Sequence, residues 1–484
     1  MSRFQPAEAF APDDAAWELL PFRFHRLNGR VLLTNMVGEH LFVTPAELDE
    51  LAERRLPADS ALVRRLRAVH VIRRPGERAP LDLLALKTRT RHRRLPASTG
   101  LHIFVVSLRC EHACPYCQVS RQSADRERFD MSLDTARRGL ELAFRSPSPL
   151  LKIEFQGGEP LLNFELVREI VVEAKRINAS HGKQLAFVIA TNLALLDDDV
   201  LAFCAEHDVH LSTSLDGPAD LHNKNRPRPG RDSWERAVDG IRRVRETLGA
   251  DRVSALMTTT RASLDRPREI IDCYLDQGLQ EIFLRPLSPY GFAIKTKSYS
   301  AYDTDRWLAF YEEGLDYVLE LNRQGVDFAE RYAAIVLKKM LTNEDPGYVD
   351  LTSPAGIGIG ALVYNYDGDV YASDEGRMLA EMGDPTFRLG NVHTDSYADL
   401  MLSEALLTPL EQSFALSAPK CTDCAFEPYC GADPVFHHAT AGDFVGRKPV
   451  SQFCHRNMSV FKLLLDRYEN DCDARAVFLD WAAR

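Results

Sequence analysis

LHIFVVSLRCEHACPYC, residues 101–117, sets a short apolar run, rich in β-branched and aromatic residues, directly ahead of three cysteines. The run predicts a buried strand over Leu101–Leu108. Cys110, Cys114 and Cys117 stand close enough together to ligate one metal group. In a long chain such clustering reads as metal ligation rather than as a disulfide framework. Outward from this stretch strand and helix alternate. Further strands are expected at Leu151–Gln156, Leu185–Thr191, Val209–Ser214, Val253–Thr259 and Glu281–Arg285. Between them apolar residues recur at spacings of three and four: Val167, Ile170, Val171 and Ala174, then Trp234, Ala237, Val238, Ile241, Val244 and Leu248, with Asp232 as the cap of the second helix. Six βα units in series imply a parallel sheet wrapped by helices. Six are too few to close an eightfold barrel, so the expected fold is α/β, an open partial (β/α)6 barrel with its chemistry at the C-terminal strand ends.

Three thiolates are one short of a closed structural zinc site. They suit an iron–sulfur cluster, where three ligands on a four-iron cube leave one iron open. The neighbouring strand ends carry matching chemistry. Gly157-Gly158-Glu159-Pro160 follows the second strand, where glycines permit close backbone approach and a carboxylate can accept from an ammonium. Thr191-Asn192 ends the third strand. Ser214-Leu215-Asp216-Gly217-Pro218 ends the fourth, followed by His222 and Arg226. Together with Tyr116 before the third cysteine, these motifs resemble the radical SAM superfamily. The resemblance implies a [4Fe-4S] cluster on Cys110, Cys114 and Cys117, with S-adenosylmethionine (SAM) on the open iron. It further implies reductive cleavage to a 5′-deoxyadenosyl radical that takes hydrogen from an unactivated carbon. Tyr116, Gly157, Gly158, Glu159, Asn192, Ser214 and Arg226 are the cofactor-binding residues it implies. The SLDGP segment is similar to the sulfatase-maturase branch, although Asn223 stands where that branch often has aspartate. Arg285 reads equally as a ligand contact and as a buried ion-pair partner.

A second cluster, Cys421, Cys424, Cys430 and Cys454, offers four thiolates, which suit zinc or a fully ligated iron–sulfur cluster. The segment resembles the SPASM extension of peptide-modifying radical SAM enzymes. That pattern carries two auxiliary clusters, but Ser373 and Pro434 stand where two ligands of the first should be. The resemblance therefore implies one auxiliary [4Fe-4S] cluster, held by the four cysteines. Asp374 follows the degenerate position, and by the same likeness it is a candidate general base; the alternative is a solvated turn aspartate. Cys204, Cys273 and Cys472 stand alone and are expected to be small buried residues.

The N-terminal text predicts a hairpin, Phe22–Leu27 and Arg30–Asn35 about Asn28-Gly29, a strand His40–Val43, and helices over 45–54 and 60–70, the first opened by the capping box Thr44 and Glu47. Residues 86–96 are basic and read as a solvated linker or a nuclear signal. Three regions follow: 1–95, a small α+β unit that weakly resembles winged-helix peptide-recognition elements and otherwise caps the barrel; 96–345, the radical SAM partial barrel; and 346–484, the SPASM-like auxiliary-cluster region with a C-terminal helix. FRFHRLNGRVLLTNMVGEHLFVT, SLDGPADLHNKNRPRPGRDSW and PYCGADPVFHHATAGDFVGRKPVSQFCHRNMSVF are similar to the His-Xaa-Ser system radical SAM maturases, B type. That likeness implies a precursor peptide as substrate, a carbon-centred crosslink as product, a second maturase of the same system and a flavodoxin- or ferredoxin-type electron donor. The rivals are a formylglycine-forming oxidase and a non-catalytic iron–sulfur or zinc scaffold. A net charge of −11 argues against a general nucleic-acid binder, which needs a basic face. With no signal-peptide pattern at the start and no long apolar run, the expected compartment is the cytoplasm.

Overall fold

The structure, a computed structural model, describes residues 17–484. The start of the chain, on which the signal-peptide expectation rests, lies outside the described residues. The N-terminal strands Phe22–Leu27, Arg30–Asn35 and His40–Val43 form an antiparallel sheet. Asn28 and Gly29 both take positive φ, as a two-residue hairpin with right-handed strand twist requires. Thr44 and Glu47 form the expected capping box at the start of Pro45–Ala52. One sheet face (Val31, Leu33, Val43) packs on Leu48, Leu51 and Leu66 of the following helices. The other face (Leu32, Phe42) joins the main core, so the central strand Arg30–Asn35 is buried on both sides.

The basic stretch is not a linker throughout. Helix Ala79–Arg91 takes in residues 86–91 of it. Leucine, alanine, lysine and arginine are good helix formers, and Arg91 ends the helix by donating to the Pro428 carbonyl at 2.8 Å.

Strand Leu101–Ser107 lies in the middle of an eight-stranded sheet. On one side follow Leu150–Gly157, Gln184–Ala190, Val209–Ser214 and Val253–Leu256, all parallel. The helices Leu133–Phe144, Phe164–Asn178, Asp198–His207 and Ser233–Thr247 intervene in sequence between these strands. On the other side Ala361–Tyr364 pairs in parallel with Leu101–Phe104, then turns into Asp369–Tyr371 and Arg388–Asn391. The C-terminal hairpin thus continues the barrel sheet. The sixth expected strand is reduced to Glu281–Ile282, which pairs with Ala329–Glu330 instead. Its extension is tied to the barrel through Thr259, whose N and Oγ1 both donate to Arg285 O, at 3.0 and 2.8 Å. Pro286, which has no amide hydrogen, directly follows Arg285 and bars a regular ladder from continuing there.

Helix Ser233–Thr247 is not capped by Asp232, whose carboxylate is taken by Arg228 and Arg236. The Asn223 side chain accepts from Trp234 N at 2.8 Å instead. No helix among the described residues is long and apolar enough to cross a membrane.

Candidate active site

Beyond Ser107 the chain leaves the sheet as a loop bearing Cys110, Cys114 and Cys117, all half-buried and free. Three backbone bonds shape and anchor it: Ala113 N to Pro227 O at 2.7 Å, Phe292 N to Cys117 O at 2.7 Å and Cys117 N to Cys114 O at 3.2 Å. The next strand end runs against it, with Gly158 N donating to Ser107 O and Glu159 N to Arg109 O, both at 2.8 Å. A Cβ on Gly157 would overlap the Ser107 carbonyl, and one on Gly158 the Arg109 carbonyl. Both glycines are therefore required by backbone contact alone.

Glu159 is fully buried. Its carboxylate accepts from Thr191 Oγ1 at 2.6 Å, Asn192 N at 2.9 Å and Leu161 N at 3.0 Å. With about four lone-pair directions on a carboxylate, one remains for a ligand. Burial, then the nearby Glu111, pushes its pKa up to about 7 despite these donors. Asn192 donates to Glu111 at 2.8 Å. His112 bridges Glu111 at 2.9 Å and Ser233 at 2.8 Å, and Ser233 in turn meets His222 at 3.0 Å.

A second network holds Tyr116. Its hydroxyl donates to Asp216 at 2.5 Å, and the Arg226 guanidinium lies 3.2 Å from the other carboxylate oxygen and 5.5 Å above the Tyr116 ring. Burial alone would raise the Asp216 carboxyl, but the Arg226 charge holds it below its ordinary value. Asp216, His222, Glu111 and Ser233 were not singled out as site residues from the sequence. Asp216 lay in the quoted SLDGP segment; nothing local marks Ser233. Ser214 ends strand Val209–Ser214. The structure thus gathers Tyr116, Gly157, Gly158, Glu159, Asn192 and Arg226 around the cysteine loop.

Arg285 and Asp374 make no hydrogen bond to that group. Arg285 lines a cavity with Asp350, Glu375, Asp433, Tyr290 and Tyr348. Asp374 pairs with Arg377 at 3.0 Å, and its neighbour Glu375 faces the cavity. Burial, then Asp350, pushes Glu375 up to about 8.

Cys421, Cys424, Cys430 and Cys454 line one cavity of about 220 Å³, floored by Phe426 and Met458. The two degenerate positions have other uses. Ser373 caps helix Asp374–Ala380 through Gly376 N at 3.1 Å, and Pro434 opens helix Pro434–Ala441. Cys204 and Cys273 are buried as expected, but Cys472 is exposed at the start of the last helix, where Asp471 caps and the side chain points off the core.

Residues 104–272 match the radical SAM superfamily. The cysteine-type anaerobic sulfatase-maturating enzyme of Clostridium novyi is 28% identical over 133 residues, 27% of this chain and 35% of that enzyme. The structure of anSMEcpe with bound AdoMet superposes with a TM-score of 0.62 at 17% identity, over 78% of this chain and 100% of that one. That of SuiB from Streptococcus suis, bound to its precursor peptide SuiA, gives 0.51 at 14% identity, over 86% of this chain and 94% of that one. The fold is that of a radical SAM domain with a cysteine-rich C-terminal extension. Residues 104–272 form a radical SAM domain; the chain is an enzyme, and the cofactors of that domain are a [4Fe-4S] cluster and SAM. The donor sets fit: three buried-edge thiols on one loop beside a carboxylate with a free lone pair, and four thiols around one cavity that fits an auxiliary cluster.

Proposed function

We propose that this enzyme matures a ribosomally made precursor peptide of the His-Xaa-Ser type, installing a carbon-centred crosslink. The observation that carries the reading is the pairing of a three-thiol loop, whose ligand set is open, with a separate four-thiol cavity, whose set is closed. Cys110, Cys114 and Cys117 would hold the cluster that delivers the electron for SAM cleavage. Around it, Gly157 and Gly158 let the second strand end approach, and Glu159, Asn192, Ser214 and Arg226 are the residues that would hold SAM, Glu159 as an acceptor for its amino group. Tyr116 is fixed by Asp216 and orients the loop from below. The precursor peptides bound by similar proteins support a peptide substrate. The region flanking the four thiols supports the family likeness through its retained ligands.

Asp374 is assigned as the proton acceptor for the peptide, held ready by Arg377. An Asp374→Asn variant that keeps full product formation removes this role. A partner maturase of the same system and a flavodoxin- or ferredoxin-type donor complete the proposal, with the cytoplasm as the compartment that keeps the free thiols reduced. The N-terminal sheet is proposed to recognise the leader by strand addition at an edge. Formylglycine formation is the lesser reading, because Ser373 and Pro434 have replaced two auxiliary ligands and now serve as a cap and a helix opener.

Mass spectrometry of the co-expressed precursor tests the function. Loss of two hydrogens at each crosslink lowers the mass by about 2 Da per site. An unchanged peptide mass in the presence of active SAM cleavage overturns the crosslinking reading.

A further inference from the structure

The N-terminal sheet reaches into the four-cysteine site. Arg23, on strand Phe22–Leu27, is 7% exposed. Its Nε donates to the carbonyl of Thr422, which lies between Cys421 and Cys424, at 2.6 Å. Its Nη1 pairs with Glu427 at 2.9 Å, and both partners are buried. His25, two residues on and on the same face, sets its ring 4.9 Å from Phe426. On the cavity wall itself stand Lys420, Glu427, Lys448 and His455 beside the four thiols. The site is therefore surrounded by charges from three separate parts of the chain, one of them from the N-terminal unit about 400 residues away in sequence.

We propose that Arg23 is a positioning residue of the four-cysteine site: it fixes the Cys421–Cys424 turn and, with Lys448 and against Glu427, sets the electrostatic potential at which a cluster bound there accepts an electron. The inference rests on the reading of these four thiols as an iron–sulfur site. A four-thiolate cluster gains a negative charge on reduction, so a nearby cation raises its reduction potential and a nearby anion lowers it, more so where water is excluded. Lys448 lines the cavity together with the four sulfur atoms, and Arg23 holds the backbone between two of the cysteines. An arginine fits the position because its fork serves the carbonyl and the carboxylate at once, which a lysine does not match.

The test uses the full chain carrying Cys110→Ala, Cys114→Ala and Cys117→Ala, anaerobically loaded with iron and sulfide, so that one cluster alone is observed. Potentiometric titration with dithionite, read by electron paramagnetic resonance, gives its potential. Arg23→Gln and Lys448→Gln are each expected to lower it, and Glu427→Gln to raise it. The expected size is about a tenfold change in the oxidised-to-reduced ratio at fixed potential, about 59 mV for a one-electron couple. The double variant Arg23→Gln with Glu427→Gln returns towards the parent value, and Arg23→Lys stays nearer the parent than Arg23→Gln. If Arg23→Gln no longer holds iron, the opposite shifts of Lys448→Gln and Glu427→Gln carry the test. Unmoved potentials in variants with full iron content overturn the proposal. So does equal behaviour of Arg23→Lys and Arg23→Gln. A parent that binds no iron overturns it together with the cluster assignment, whereas a silent peptide assay alone touches only the proposed function.

Discussion

The two cysteine clusters solve different problems. Cys110, Cys114 and Cys117 sit on one loop at a strand end, next to hydrogen-bonded polar groups that retain acceptor and donor capacity. Cys421, Cys424, Cys430 and Cys454 come from a turn and the first part of helix Gln452–Asn470, and they close around a cavity lined by Ala415, Phe426 and Met458. The first site is pinned by backbone bonds to the barrel, so its position follows the sheet. The second is pinned by side chains from the N-terminal sheet, so its position follows packing. An open ligand set on a rigid strand end is suited to holding a reacting molecule. A closed set in a walled cavity is suited to carrying charge or bracing the fold.

That contrast can be broken most directly at the thiols. Replacing Cys110, Cys114 and Cys117 with alanine is expected to abolish release of 5′-deoxyadenosine on reduction and to lower the iron content from about eight to about four per chain. Persisting release would dissolve the distinction. Replacing Cys421, Cys424, Cys430 and Cys454 is expected to remove the same amount of iron and the modified peptide, yet to leave SAM cleavage measurable by chromatography. Gly158→Ala sharpens the comparison without touching a ligand. A methyl group against the Arg109 carbonyl displaces the first loop, and SAM cleavage is expected to fall about 100-fold, with the second site's iron unchanged.

Asp216→Asn leaves Arg226 buried without its counter-charge. The expected cost is about 3–5 kcal/mol, read as a lower thermal midpoint with the second site still loaded. The smallest effect concerns His102, which is fully buried between Tyr364 and the Thr99 carbonyl. Burial lowers its pKa to about 4, against 6.5 for an exposed histidine. The unfolded chain therefore binds a proton that the native state refuses, and native stability drains away as the pH falls from 6.5 towards 4. His102→Asn lacks this term, so its stability gap to the parent should narrow by up to about 3 kcal/mol across that window in urea titrations. A constant gap would mean that His102 titrates as if exposed.

Much of this arrangement was legible in local pattern. The five regular barrel strands, the Asn28-Gly29 turn, the Thr44 cap and the two cysteine groups each announce themselves within a few residues, because period, turn chemistry and ligand spacing are short-range properties. What escaped is long-range. Helix Ala79–Arg91 is stabilised where Arg91 meets Pro428, a contact that composition does not contain. The sixth strand is cut short by a preference for Ala329–Glu330 and by Pro286. Asp232 looked like a cap but was claimed by two arginines, and Asn223 took its place. Glu375 was hidden behind the more familiar Asp374, since only packing tells which of two adjacent carboxylates looks into a cavity.

The bond between His102 and Tyr364 joins positions 262 residues apart in the chain. Strand Leu101–Ser107 obtains its neighbour on one side soon after it is made, but its other flank waits for Ala361–Tyr364. At ribosomal speeds of about 5–20 residues per second, that wait lasts roughly 10–50 s. During it the nascent chain presents an uncovered, hydrophobic strand edge directly ahead of three free thiols, which makes synthesis itself a stage at which the chain needs shelter from its own copies.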